Sequence, residues 1–159
     1  MVTSTALAVR DLVATVPDPE LPMITIEELG ILREVRVVPD GRVVVEITPT
    51  YSGCPAMDAI RTDVLARLAA AGFNDAEVRL VLAPAWTTDW VTPAGRAALS
   101  RHGIAPPNPA GPVALRLSVR CPWCGSPDTH EVSRFGSTAC KALWSCRACL
   151  EPFDHVKAL

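Results

Sequence analysis

Cys121-Pro122-Trp123-Cys124-Gly125 and Cys146-Arg147-Ala148-Cys149 decide the architecture of the last third of this chain. Each is a Cys-x-x-Cys turn, which offers two sulfurs from one tight loop while its backbone amides hydrogen-bond the thiolates. Residues 125–145 between them leave room for a hairpin, the layout of a zinc ribbon. Cys121, Cys124, Cys146 and Cys149 are therefore expected to hold one zinc ion in a closed tetrahedral site. The roughly 45 residues after position 112 are too few to hold a hydrophobic core unaided, so folding itself calls for the metal. Two disulfides and an iron-sulfur cluster are the competing readings of the same four residues. Val113 to Val119 should supply a leading strand, and Leu143-Trp144-Ser145 another.

Immediately upstream, Pro106-Pro107-Asn108-Pro109-Ala110-Gly111-Pro112 can continue neither helix nor sheet and reads as a linker. The expected domains are then 1–105, a linker over 106–112, and a ribbon over 113–159. In the first domain, Ala6, Val9, Val13 and Val16 recur at helical spacing behind a capping Ser4, and Pro17-Asp18-Pro19 stops the helix. Ile24 to Leu29 reads as one helical turn ended by Gly30. Val35 and Val37, then Val43, Val45 and Ile47 alternate about the turn Pro39-Asp40-Gly41, an antiparallel hairpin. Met57, Ile60, Val64, Leu68 and Ala71 form one helical face closed by Gly72, and Glu77 to Ala83 alternates as a third strand. Thr92-Pro93 starts a short helix that Gly103 ends. The fold class is α+β, a small mixed domain of about three strands with flanking helices, followed by the zinc-ribbon module.

The chain has 159 residues, 49% of them hydrophobic and 20% charged, with a formal net charge of -2. That is enough apolar material for a core, and too little basic surplus for a dedicated nucleic-acid binder. From position 113 onward, six Lys/Arg (116, 120, 134, 141, 147, 157) face four Asp/Glu (128, 131, 151, 154). A nucleic-acid-binding ribbon is thus retained only as an alternative. No apolar run approaches a membrane span, and Arg10 and Asp11 interrupt what a signal peptide would keep apolar, so a cytoplasmic protein with reduced thiols is expected.

Cys54 is followed by Pro55 and the amphipathic helix, which places it at a helix cap where amides and the helix dipole would lower its pKa. It reads either as a reactive or metal-seeking thiol or as a small residue packed beneath the loop Pro84-Ala85-Trp86-Thr87-Thr88-Asp89-Trp90, whose two indoles look exposed. Cys140 is open to three readings: a substitute ligand, a small buried hydrophobe, or a free working thiol. Asp18 and Glu20 are hard oxygen donors on a proline-braced loop, a pair that is more often a solvated acidic turn. His102, His130 and His155 form no ligand pattern, and no Gly-rich phosphate loop, nucleophile elbow or His-Glu-x-x-His helix is present. Nucleophilic catalysis by Cys54 would need a base that the sequence does not place nearby.

The motifs Asp18-Pro19-Glu20-Leu21-Pro22, Leu29-Gly30-Ile31-Leu32, Thr48-Pro49-Thr50-Tyr51-Ser52-Gly53-Cys54-Pro55, Ala83-Pro84-Ala85-Trp86-Thr87-Thr88-Asp89-Trp90 and Phe135-Gly136-Ser137-Thr138-Ala139-Cys140-Lys141-Ala142-Leu143 resemble the PaaD (PaaJ) family of the phenylacetate-degradation operon. Residues up to about 92 resemble the wider SufT-like family of metal-sulfur cluster assembly factors, whose characteristic cysteine corresponds to Cys54. The resemblance implies a non-catalytic factor that matures or maintains the iron-sulfur or di-iron centre of the multicomponent phenylacetyl-CoA epoxidase. Its clients would be the di-iron subunit or the flavin and iron-sulfur reductase. It implies Cys54, with Cys140, as a site for transient iron or a cluster, with Asp18, Glu20, Thr48 and Thr50 in support. Trp86 and Trp90 become candidates for client docking or for a homodimer surface. A structural or regulatory oxygenase subunit is the alternative.

Overall fold

The computed structural model describes residues 2–108 and 119–158, without the side chains of residues 2–4. The expected leading strand Val113–Val119 lies almost entirely outside the described residues, as do positions 109–112 of the expected linker. The chain forms two compact units, Met1–Trp86 and Thr87–Leu159.

In the first unit, helix α1 spans Val2–Ala14, so it begins upstream of Ser4 and that residue is not its cap. Val9 and Val13 on α1 and Val16 beyond it are buried. The chain then turns through Pro17–Thr25, closed by an isolated antiparallel bridge between those two residues. Thr25 and Glu28 form a reciprocal capping box, the Thr25 amide donating to Glu28 Oε2 at 2.9 Å and the Glu28 amide to Thr25 Oγ1 at 3.2 Å. Strands β1 (Leu32–Val37) and β2 (Val43–Ile47) pair antiparallel, with Val35 opposite Val45. Gly41 takes φ +89° in the connecting turn, a backbone state closed to most side chains.

Helix α2 (Ala56–Ala70) buries Ala56, Met57, Ile60, Val64 and Leu68. Full removal of each larger aliphatic side chain from water contributes on the order of 2 kcal/mol. Ala71, expected on the same face, is exposed and lies past the helix end. The helix carries the chain back so that β3 (Ala76–Leu80) lies parallel to β2, giving the order β1-β2-β3. Strand β3 is therefore shorter and earlier than the expected Glu77–Ala83.

In the second unit, a 3₁₀ turn over Thr88–Trp90 precedes α3 (Pro93–Arg101). Thr92 caps α3 by accepting from the Gly95 amide at 3.1 Å, with proline in the first turn as the sequence requires. Strands β4 (Ile104–Ala105), β5 (Thr129–Ser133), β6 (Lys141–Cys146) and β7 (Pro152–Val156) form one sheet in the order β4-β7-β6-β5. The boundary between compact units thus falls between Trp86 and Thr87, earlier than the linker at 106–112 read from proline content. Two interactions explain the difference. Strand β4 joins the ribbon sheet as a parallel partner of β7, and Arg96 gathers this segment by donating to the carbonyls of Thr88, Val91 and Pro107. Among the described residues, no helix is long and apolar enough to cross a membrane.

His155 on β7 is 8% exposed and meets the Trp144 ring edge-on, with centroids 5.8 Å apart. Burial pushes its pKa down from 6.5 to about 4. Between those values the unfolded chain binds a proton that the folded chain refuses. This contribution to stability is therefore complete above about pH 6.5 and is lost progressively as pH falls toward 4, by up to about 3 kcal/mol. His155→Phe is expected to flatten that part of the profile, checked as the difference between variant and parent melts at each pH. Equal slopes for the two proteins would refute the assignment.

Candidate functional site

The four ribbon cysteines converge, their sulfurs all lying within 4.8 Å of one another. Cys121 Sγ and Cys149 Sγ are 3.7 Å apart, and Cys124 Sγ and Cys146 Sγ 3.6 Å. A regular tetrahedron with metal-sulfur bonds of about 2.3 Å has edges of about 3.8 Å, so the residues fit a tetrahedral thiolate site. All four thiols are free, which sets aside the two-disulfide reading.

The two knuckles share one backbone form. The amide of Gly125 donates to Cys121 O at 2.9 Å and that of Leu150 to Cys146 O at 3.1 Å. Gly125 has φ +74° and Leu150 φ +67°. Leucine is an unusual occupant of this left-handed position, and the residue is 78% exposed. Trp123, in the first knuckle, lies so close over Gly103 that a Cβ there would come within 1.9 Å of the indole.

The electrostatics also call for a cation. Amides of Cys149 and Ala148 lower the Cys146 thiol to about 7. At Cys149 the Glu151 amide acts the same way, but burial and the neighbouring sulfurs outweigh it and push that thiol up to about 12. Four sulfurs this close cannot all ionise unless a positive ion lies among them. Cys121 and Cys146 also belong to the small core of Ala105, Val119 and Phe153, with Trp144 and Cys149 packed against it, so metal binding and folding share side chains.

Cys54 lies in a different setting. Pro55, not Cys54, is the cap residue of α2, so the thiol sits one position earlier than expected. It is 8% exposed. Burial raises its pKa above 9.0, against the pull of the Ala56 amide and the Tyr51 side chain, and the charges of Glu20 and Asp18 push the same way. The expected lowering is thus reversed, because burial and the nearby carboxylates outweigh the amide at the helix start. Tyr51 as a partner of this thiol was missed in the sequence, although its place three residues before Cys54 in a turn was the available signal.

The acidic pair also differs from a solvated turn. Asp18 is 4% exposed, and its Oδ1 accepts from the amides of Glu20 at 2.9 Å and Leu21 at 2.8 Å, so it braces its own loop. Its field reaches Cys54. Among the described residues, however, Asp18, Glu20 and Cys54 do not form a group with converging ligand atoms. Thr48 is 1% exposed, and its Oγ1 has no hydrogen-bond partner among the described residues. Thr48, Thr50, Tyr51 and Trp86 line a cavity of about 130 Å³ beside the Cys54 loop.

The expectation of two exposed indoles is corrected. Trp86 is 6% exposed and its Nε1 donates to Leu29 O at 3.0 Å, which pins its loop to the first unit, while Trp90 is half-buried in the second. Cys140 is buried on the second unit, 3.1 Å from Thr138 Oγ1. It is not one of the four convergent sulfurs, so the substitute-ligand reading has no geometric support.

Comparison with known proteins matches residues 7–80 to the family "Iron-sulfur cluster assembly protein" and residues 105–157 to "PaaD zinc beta ribbon domain". The chain is 46% identical over 149 residues to the "Putative 1,2-phenylacetyl-CoA epoxidase" subunit from Escherichia coli (strain K12), covering 93% of this chain and 90% of that one. It is 38% identical over 86 residues to the "Fe-S protein maturation auxiliary factor SufT" of Staphylococcus aureus (strain USA300), covering 52% of this chain and 93% of that one. A DUF59 domain from Bacillus anthracis, known from a crystal structure, superposes with a TM-score of 0.57 at 27% identity, over 61% of this chain and 92% of that one. With an assembly-factor domain and a four-cysteine ribbon joined in one chain, and both halves matched together by one relative, the protein belongs to the PaaD family.

Proposed function

We propose that this chain is a non-catalytic, cytoplasmic maturation factor that assembles or maintains the iron-sulfur or di-iron centre of the multicomponent phenylacetyl-CoA 1,2-epoxidase. The single observation that carries the reading is the union, along one chain, of an iron-sulfur cluster assembly domain with the PaaD-type ribbon. The resident metal is zinc, bound by Cys121, Cys124, Cys146 and Cys149. Four sulfur ligands leave no open position, which suits a structural rather than a catalytic ion.

Cys54 is the working thiol, and its raised pKa fits that role. Protonated and buried, it is protected from oxidation while no metal is present. An arriving iron ion displaces the proton to solvent and is drawn by the same carboxylate field that disfavoured the bare thiolate. Because Asp18 and Glu20 do not converge on Cys54, the remaining ligands come from the client, either the di-iron subunit or the flavin and iron-sulfur reductase, or from the carried cluster itself.

The name of the Escherichia coli relative favours a second reading, a stoichiometric subunit of the oxygenase. One experiment separates the two. Epoxidase produced without this chain should be poor in iron and inactive. Supplying the chain during iron loading should restore turnover that persists after the chain is removed. An enzyme with full iron content that stays inactive until the chain is added one-to-one would establish the subunit reading instead.

A further inference from the structure

We propose that the outer edge of β3 is a self-complementary surface through which two copies of this chain pair, antiparallel, about a two-fold axis at Val78. Val43 N donates to Asp75 O, and Val81 N donates to Ile47 O. In a parallel ladder this alternation turns the peptide groups of 75, 77, 79 and 81 toward β2, and those of Ala76, Val78 and Leu80 out of the sheet. Among the described residues β3 is an edge strand, so Val78 is the central residue that presents both donor and acceptor to an approaching strand. Leu80 and Leu82 continue the edge at 54% and 65% exposure, more apolar surface than a solvated edge needs.

The charges choose the register. An axis at Val78 places Val78 opposite itself and Ala76 opposite Leu80 as hydrogen-bonded pairs. Glu77 then stands opposite Arg79 of the second copy, twice, in the non-hydrogen-bonded pairs where side chains come closest. Moving the axis to Ala76 sets Glu77 against Asp75, like against like, and moving it to Leu80 leaves Arg79 against Val81. Glu77 and Arg79 already pair within one copy, at 2.8 and 2.9 Å, so they are ordered before the second copy arrives. An edge guarded only against pairing would carry charge of one sign. This one carries one of each, placed symmetrically about Val78, the middle one of the three residues whose peptide groups face outward.

Two short strands bury little surface, so the dimer is a weak one that forms at about 10–100 μM. Sedimentation equilibrium of the full metal-loaded chain across that range tests it. The parent should show a monomer-dimer equilibrium. Arg79→Glu and Glu77→Arg alone should each weaken it at least ~100-fold, since each turns two attractive pairs into like-charge pairs. The double exchange E77R/R79E should restore it, because the two-fold arrangement is regained with signs reversed. Thermal melts confirm that each variant is folded, and the second single variant stands in should the first not fold. A parent that stays monomeric, a single variant that dimerises as well as the parent, or a folded double variant that remains monomeric would overturn the proposal.

Discussion

Cys124→Ser is expected to release the ribbon metal and unfold the sheet of the second unit while the first unit stays folded. Cys124 is exposed, so the loss is not one of packing. Serine replaces a thiolate that stands 3.6 Å from Cys146 Sγ in a site of four, and three sulfurs no longer close a tetrahedron. The core behind the site has little to substitute, since Cys121 and Cys146 are themselves members of a cluster completed by Ala105, Val119 and Phe153. Structural zinc supplies about 10–16 kcal/mol in small modules, more than the apolar cluster seen among the described residues can replace. Metal analysis should fall from about one ion per chain to a small fraction of that. Hydrogen exchange should show amides across β5, β6 and β7 losing protection while those of β2 and α2 keep theirs. Full metal content with an intact exchange pattern would mean that these four residues do not act as one site.

Cys54→Ser is expected to do the opposite, leaving both units folded and the ribbon metal in place while epoxidase activity in cells falls. The thiol's polar neighbours, the Ala56 amide and the Tyr51 side chain, can both be served by a hydroxyl. The change in stability should stay within about 1 kcal/mol. Activity should drop at least ~10-fold, the lower end of what a metal site loses even when an outer partner is removed. Metal analysis of the epoxidase should trace the loss to missing iron rather than missing protein. Undiminished activity would end the case for Cys54 as the working group and leave the cavity beside Thr48 and Tyr51 as the feature of this unit to pursue.

Much of this arrangement was legible in the sequence, for reasons that lie in local geometry. The hairpin of β1 and β2 follows from period-two alternation about a glycine suited to its positive φ. The buried face of α2 follows from apolar residues at helical spacing, and the start of α3 from Thr92 and Pro93. The four ribbon cysteines could be named because each knuckle is a short turn whose spacing sets the positions of its own sulfurs. Where the helical reading failed at Ala71, the cause was a boundary, as the helix ended one residue before it.

What the tertiary structure alone decided depends on groups brought in from distant positions. Spacing placed Cys54 near a helix start, but the sign of its pKa shift was set by burial and by the charges of Asp18 and Glu20, more than thirty residues earlier. The loop around Trp86 made its indole look exposed, whereas the indole is buried and its Nε1 donates to the carbonyl of Leu29. Proline content placed a boundary at 106–112, whereas the pairing of β4 with β7 drew the preceding segment into the second unit. The sequence by itself determined which residues have metal-binding chemistry and the local turns that present them, because those are short-range properties of the chain. Only the fold decided which of these groups are buried, which are charged and which strand lies at the edge of the sheet among the described residues, because dielectric, Coulomb field and strand order are set by whatever the rest of the chain packs around them.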